Sequence, residues 1–225
     1  MGYPIPAHLI RIANLVPFNE RDFVMKSSAF NPNMQEEDLA SKITFGLERI
    51  SEVFKTLLWA KAKVVGLSPI QIQIGLFVAY HRAELCNVSH LAKEFNVTKP
   101  TISDAVKILN KKGLIDKDYS ASDQRSYTLQ LTDSGRKLVR EVGDFADPLR
   151  DLIGHKDEAE LSRFFTTLSE LIYSLNRTGV LTVQRTCFGC KFYDKESEED
   201  YCKLLQKKLS NSDIRLDCPE FENRN

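Results

Sequence analysis

Four of the five cysteines stand at positions 187, 190, 202 and 218, spaced C-x2-C-x11-C-x15-C, and the fifth, Cys86, lies far upstream. A C-x2-C knuckle aims two thiolates at one metal, and Gly189 inside it allows the tight turn. Cys187, Cys190, Cys202 and Cys218 therefore form a complete thiolate set for one metal centre per chain. Zinc is the first choice. An iron–sulfur cluster is the alternative, because the Cys218-Pro219 pair and a nearby aromatic shell are features that clusters use. Redox-active thiols are a third option, and structural disulfides are disfavoured if the protein is cytoplasmic. Phe188, Phe192, Tyr193, Tyr201, Leu204, Leu205, Leu216 and Phe221 supply apolar packing. So short a segment cannot bury enough surface alone, and a metal would supply the missing stability. The stretch CKLLQKKL reads as helix-like with Lys203, Lys207 and Lys208 outward, and Glu196, Glu198, Glu199 and Asp200 read as a solvated loop. Cys86, beside Leu85 and Val88, reads as a small buried residue.

A second group of residues has a different chemistry. Asn87 to Leu131 reads NVSHLAKEFNVTKPTISDAVKILNKKGLIDKDYSASDQRSYTLQL. The spacing predicts a helix from Ser89 to Phe95, capped by Ser89, with Leu91, Ala92 and Phe95 inward. Asn96 and Val97 turn the chain. Thr98 caps a second helix, Pro100 sits just inside it, and Gly113 ends it. Ile102, Ala105, Val106 and Leu109 form its buried face, leaving Thr101, Ser103, Asp104 and Lys107 on the other side. Leu114, Ile115 and Lys117 open a strand. Tyr127, Leu129 and Leu131 alternate inward on a second, beyond a polar loop from Ser120 to Ser126. That order is a helix-turn-helix with a β-wing, a shape that enters a DNA groove. Short hydrogen-bonding side chains at a helix N-terminus reach base edges, and lysines neutralise phosphates. The candidate DNA contacts are Ser89, Thr98, Lys99, Pro100, Thr101, Ser103, Asp104 and Lys107, with Arg125 at the wing tip suited to a minor groove.

VTKPTISDAVKILNKKGLI, the D-x-R of Asp123 and Arg125, and LTDSG at Leu131–Gly135 together resemble the MarR family of bacterial regulators. The resemblance covers about residues 37–178, judged by helix order. It implies a dimer whose second helix-turn-helix element reads the major groove of near-palindromic double-stranded DNA. Arg125 would lie in or near the minor groove and Asp123 would orient it. A small-molecule effector would sit between the dimer region and the winged domain. Asp104 departs from the pattern by putting a negative charge on the DNA-facing side. The wing is sparse, carrying only Arg125.

Charge agrees only regionally. The whole chain is neutral, with 31 basic and 31 acidic residues. Residues 68–140 carry eleven basic side chains against seven acidic ones, so affinity must come from local placement and fall with salt. No apolar run reaches membrane length and no signal-peptide pattern opens the chain, so the expected location is cytoplasmic. The four histidines show no H-E-x-x-H or triad-like context, and no glycine-rich phosphate loop exists, so the chain is not read as an enzyme.

The positioning elements follow from periodicity. Residues 1–35, with Pro4, Pro6, Pro17 and Pro32, are an arm with one short helix near Leu9–Leu15. Residues 36–66 form a long dimerisation helix on Leu39, Ile43, Leu47, Ile50, Phe54 and Leu57. Residues 67–136 are the winged helix-turn-helix and 137–180 the C-terminal dimerisation helices. One of those helices runs from Thr132 to Ile153 with a kink at Pro148, and another from Asp157 to Asn176. Residues 183–225 are the four-cysteine module. The expected fold is mainly α: a winged helix-turn-helix with a small antiparallel β-wing, flanked by long helices, plus a small cysteine module. Three roles stay open for that module. It is a sensor of metal or redox state, a structural or protein-interaction zinc module, or an iron–sulfur electron-transfer centre on a reused winged helix.

Overall fold

The structure, a computed structural model, describes residues 28–119, 127–196 and 199–224. The chain divides into two units, residues 1–53 and 54–225. The expected helix at Leu9–Leu15 lies outside the described residues.

The proline-rich arm ends in helix α1 (Pro32–Glu37), which is followed by α2 (Leu39–Val65); α2 begins in the first unit, and from Phe54 on, with buried Leu58 and Ala62, it belongs to the second. One continuous helix from residue 36 was expected. Asp38 divides it instead: its carboxylate accepts from the backbone N–H groups of Ala40 at 3.0 Å and Ser41 at 2.9 Å. These bonds cap a new helix start; the Ser41 hydroxyl, which also donates to the carboxylate, contributes most to holding the Asp38 carboxyl below the usual carboxylate range, and the two backbone bonds add to it. Leu39, Ile43, Leu47, Ile50 and Val53 follow helical spacing and are exposed.

The core of the second unit lies among α3 (Pro69–Tyr80), α4 (Val88–Glu94), α5 (Lys99–Lys111), α6 (Asp133–Val142) and an antiparallel pair, β1 (Ile115–Asp118) and β2 (Thr128–Leu131). Ile72, Ile74, Leu91, Ile102, Val106, Leu109, Ile115 and Leu129 are among its fully buried side chains. The strand register sets Ile115 against Leu131 and Asp118 against Thr128, so Ile115 and Leu129 both face inward. The backbone N–H of Leu129 donates to the Cys86 carbonyl at 2.8 Å. Cys86 itself is buried, its thiol donates to the Arg82 carbonyl at 3.3 Å, and burial pushes its pKa up to about 11. It is the small core residue that its neighbours predicted.

Two helix ends fix the geometry of this domain. After α4, Asn96 takes a left-handed φ of 51°, the N–H of Val97 reaches the Ala92 carbonyl, and that of Asn96 reaches Lys93. After α5, Gly113 at φ 65° is followed by the same pair of bonds, Leu114 to Leu109 and Gly113 to Asn110. Both are Schellman ends, which satisfy the last carbonyls and set the exit direction of the chain. Asparagine is the side chain that best tolerates this conformation after glycine.

The kinked helix expected over Thr132–Ile153 is two helices, α6 and α7 (Asp147–Gly154). Pro148 lies in the first turn of α7. Its missing N–H would have had no helical partner there, so it starts a helix instead of bending one. Helix α8 (Glu158–Arg177) is capped by Asp157, which accepts from the Glu160 N–H at 2.8 Å. Leu152, Phe164, Leu171 and Leu175 of α7 and α8 are exposed.

The cysteine module begins with a single 3-10 turn at Cys187–Gly189. It continues as a three-stranded antiparallel sheet, ordered β3 (Tyr193–Glu196), β4 (Glu199–Cys202), β5 (Lys207–Leu209). The stretch CKLLQKKL is therefore a turn and a strand, not a helix. The reversal carries Gln206 at φ 49°, and pairing of Cys202 with Lys207 overrides the local helical spacing. Glu196, Glu199 and Asp200 likewise lie in paired strands, not in a loop. Glu198 is outside the described residues.

Candidate functional site

The exposed face of α5 is built by its N-terminal cap. Thr98 Oγ1 accepts from the Thr101 N–H at 3.3 Å and lies 2.8 Å from the Thr101 hydroxyl. Lys99, Pro100 and Thr101 form an exposed first turn, Asp104 and Lys107 are exposed one turn on, and Ser103 is half-buried. The side opposite Ile102, Ala105, Val106 and Leu109 is thus polar and open, as the spacing predicted. Lys107 Nζ donates to Asp104 at 3.0 Å, so each charge on this face is partly answered by the other. Ser89 is not the cap of α4. Asn87 is, with its side-chain oxygen accepting from the His90 N–H at 2.9 Å, which leaves Ser89 exposed. His90 is half-buried, within 5.8 Å of the Phe77 ring centroid and 3.5 Å from Glu94, so it packs beneath α4. Asp123 and Arg125, at the wing tip, lie outside the described residues.

Cys187, Cys190, Cys202 and Cys218 line one cavity with Phe192, Tyr193, Leu204, Leu205 and Leu209. All four thiols are free. The Arg215 N–H donates to Cys187 Sγ at 3.3 Å. Burial, together with the three other cysteines, raises the Cys187 pKa against that bond. Among the described residues no three His, Cys, Asp or Glu side chains stand close enough to hold a single ion as placed. The thiols share a cavity wall and do not converge on a point. Their chemistry fits a thiolate-bound centre. Zinc would need the sulfurs drawn in to about 2.3 Å, whereas a cluster brings its own sulfides to fill the space between them. Phe188 packs edge-on against Tyr193 and Tyr173. Lys203, Lys207 and Lys208 point outward, but each pairs with an acid of the module, respectively Asp194, Asp213 and Glu199.

Arg185, two residues before Cys187, was not singled out by its type or spacing. Its side chain is only 10% exposed. The guanidinium donates to both carboxylate oxygens of Glu94, at 2.8 Å and 3.0 Å, and to Asp217 at 2.5 Å. It also stands 5.5 Å from the Phe77 ring centroid. His81 completes the set, with Nδ1 2.9 Å from the Phe77 carbonyl and Nε2 2.8 Å from Asp217. Burial opposes the Arg185 charge, but the bonds to Glu94 and Asp217 outweigh it and hold its pKa above the ordinary value. Burial likewise works against Asp217, and Arg185 and His81 outweigh it, holding the carboxyl low. The one hint in the sequence is adjacency: Arg185 and Asp217 flank ligand candidates Cys187 and Cys218. Glu94 and His81 carry no such signal.

Comparison with known proteins agrees with this geometry. Residues 76–127 match the MarR family model. The S. aureus MepR–DNA complex is similar at 25% identity and a TM-score of 0.51, covering 59% of this chain and 97% of that one. The transcriptional regulator PA3341 is similar in fold at 23% identity and a TM-score of 0.52, covering 60% and 98%. A MarR/EmrR family regulator from Acinetobacter sp. ADP1 is similar in fold at 21% identity and a TM-score of 0.51, covering 62% and 99%. Each relative is matched over nearly its full length, while about two-fifths of this chain has no counterpart in it. The winged helix of this chain thus resembles that of the MarR family and shares the fold of these regulators, and a four-cysteine segment follows it.

Proposed function

We propose that this protein is a homodimeric DNA-binding transcriptional regulator of the MarR type whose four-cysteine module binds a metal centre. The observation that carries the reading is the capped, exposed first turn of α5. Lys99 and Thr101 are exposed there and Ser103 is half-buried one turn on; a recognition helix would meet the major groove from such a turn, and exposed Ser89 of α4 would be available to the DNA backbone. The likeness to the MepR–DNA complex supports it. The exposed apolar residues of α2, and those of α7 and α8, support a two-fold partner, because exposed stripes of this length are uncommon on monomers. A dimer of this kind would read two half-sites about one DNA turn apart. MarR-family proteins are regulators, in keeping with the lack of a catalytic motif in the sequence.

The four thiols around one apolar cavity support the metal centre, zinc or an iron–sulfur cluster. When bound, such a centre would cross-link the two ends of the module. The chain's own contribution is to present the sulfurs and to donate the Arg215 N–H to Cys187. The test is binding of the full chain to a duplex selected from a random-sequence pool, followed across salt concentration. A linear fall of log affinity with log salt is expected. Replacing Lys99 with Ala should reduce that slope by about one. A chain that selects no duplex from the pool refutes the reading.

A further inference from the structure

We infer that Arg185 is the positioning residue through which the four-cysteine module sets how tightly the winged helix holds DNA. The inference rests on the regulator reading and names the regulation of that same site.

The input side is backbone geometry. Arg185 and Asp217 form a parallel bridge, and the Cys218 N–H donates to the Arg185 carbonyl at 3.0 Å. Asp217 adjoins Cys218, and Arg185 stands two residues before Cys187. A centre that draws Cys187 and Cys218 together therefore holds Arg185 and Asp217 in register. Once it is lost, only hydrogen bonds such as those from Cys218 to Arg185 and from Cys187 to Arg215 keep those two strands of chain together, and Asp217 can leave Arg185 and His81.

The output side is α4. Arg185 grips Glu94 with two bonds, and Thr182 donates to the Lys93 carbonyl at 3.1 Å. Glu94 is the last residue of α4. Only the Schellman turn at Asn96 separates that helix end from the N-terminus of α5. A turn of this kind transmits displacement because it has no slack: its two carbonyls are committed to Val97 and Asn96. Whatever moves the end of α4 therefore moves the Thr98 cap and the exposed first turn of α5.

The grip is also switch-like. Arg185 is nearly buried, so losing Asp217 leaves a desolvated guanidinium with half its partners. Such an arrangement breaks as a unit and does not stretch. The sign follows from charge. With the module closed, Arg185 neutralises Glu94. With it open, Glu94 loses its guanidinium partner and keeps only the His90 ring 3.5 Å away, so its carboxylate would add negative charge to a helix that, on the regulator reading, lies near phosphates. The metal-loaded protein therefore binds DNA more tightly than the metal-free one.

The test uses the full chain purified without oxygen, with its metal content measured, before and after stripping by a chelator. Stripping should weaken binding to the selected duplex by about tenfold, within the range of typical coupling. Arg185→Met should retain its metal yet bind DNA with nearly the stripped affinity in both states, a ratio within about twofold. Glu94→Gln, a smaller change that spares the fold if Arg185→Met does not, should also collapse the ratio. Linkage supplies a readout that a merely structural brace would not move. DNA should slow loss of metal to the chelator in wild type, and not in either variant. A ratio that persists in both variants overturns the proposal. A wild type that binds DNA equally well loaded and stripped overturns it while leaving the regulator reading intact. A wild type that binds no duplex refutes both.

Discussion

On the proposed reading Asp104 would oppose a phosphate backbone from the open face of α5, and its pairing with Lys107 would also withhold that lysine. Asp104→Asn should free Lys107 and remove a repulsive charge together. DNA affinity should rise several-fold and the salt slope steepen by about one unit, read by titrations at three or more salt concentrations. An unchanged slope would mean that this face does not meet phosphate. His90 gives a second test. Burial holds its pKa below the usual 6.5. Glu94 works against this, while Arg185, His81 and Lys93 add to it. The folded chain thus refuses a proton that the unfolded chain accepts. The associated stability is complete above about pH 6.5 and is lost as pH falls below it, down to the folded-state value. His90→Gln should flatten that part of the stability–pH curve, measured by denaturant unfolding. Residues governed by short-range rules were legible in the sequence: the Thr98 cap, the buried face of α5, the thiol spacing. Ser89 was misread as the cap because Asn87, two residues earlier, is an equally good one. Arg185 was not legible, since its partners lie 91 and 32 residues away.

At the scale of elements, the LTDSG stretch has a steric meaning. Thr132 caps α6 by accepting from the Gly135 N–H at 3.0 Å, and its hydroxyl donates to the Gly113 carbonyl at 2.6 Å. This holds the first turn of α6 against the start of β1. A Cβ on Gly135 would lie 2.0 Å from the Leu114 carbonyl oxygen. Gly135→Ala should therefore cost about 3 kcal/mol or more in unfolding free energy, the upper range for overpacking. A loss below about 1 kcal/mol would show that β1 and α6 can separate. The elements predicted from long periodic runs are present: α2, α5, α6, α8 and both wing strands. Their breaks were harder to read. Asp38 and Pro148 sit inside runs whose apolar spacing continues across them, and a helix start inside such a run is decided by one capping residue. The cysteine module was misread for another reason. Eight residues with leucines at helical spacing carry less information than pairing with a neighbouring strand, and that pairing is non-local.

For the molecule as a whole, the exposed apolar faces of α2 and of α7 with α8 predict a light-scattering mass of twice 25.7 kDa at micromolar concentration. Phe164→Glu in α8 should shift that mass toward the monomer. A monomeric wild type would leave those faces unexplained and remove the paired half-sites. The contacts that dock the module onto the winged helix span long stretches of chain: 91 residues from Arg185 to Glu94 and 136 from His81 to Asp217. The winged helix, by contrast, closes on contacts between neighbouring elements. Local contacts form first, and a chain folds from its N-terminal side as it is made. At ordinary synthesis rates the reading head is complete on the order of ten seconds before Cys218 leaves the ribosome. Were the module to regulate the winged helix as proposed, each new molecule would pass through an interval in which its DNA-binding domain is folded and its regulator is not, and the docking of Arg185 would end that interval.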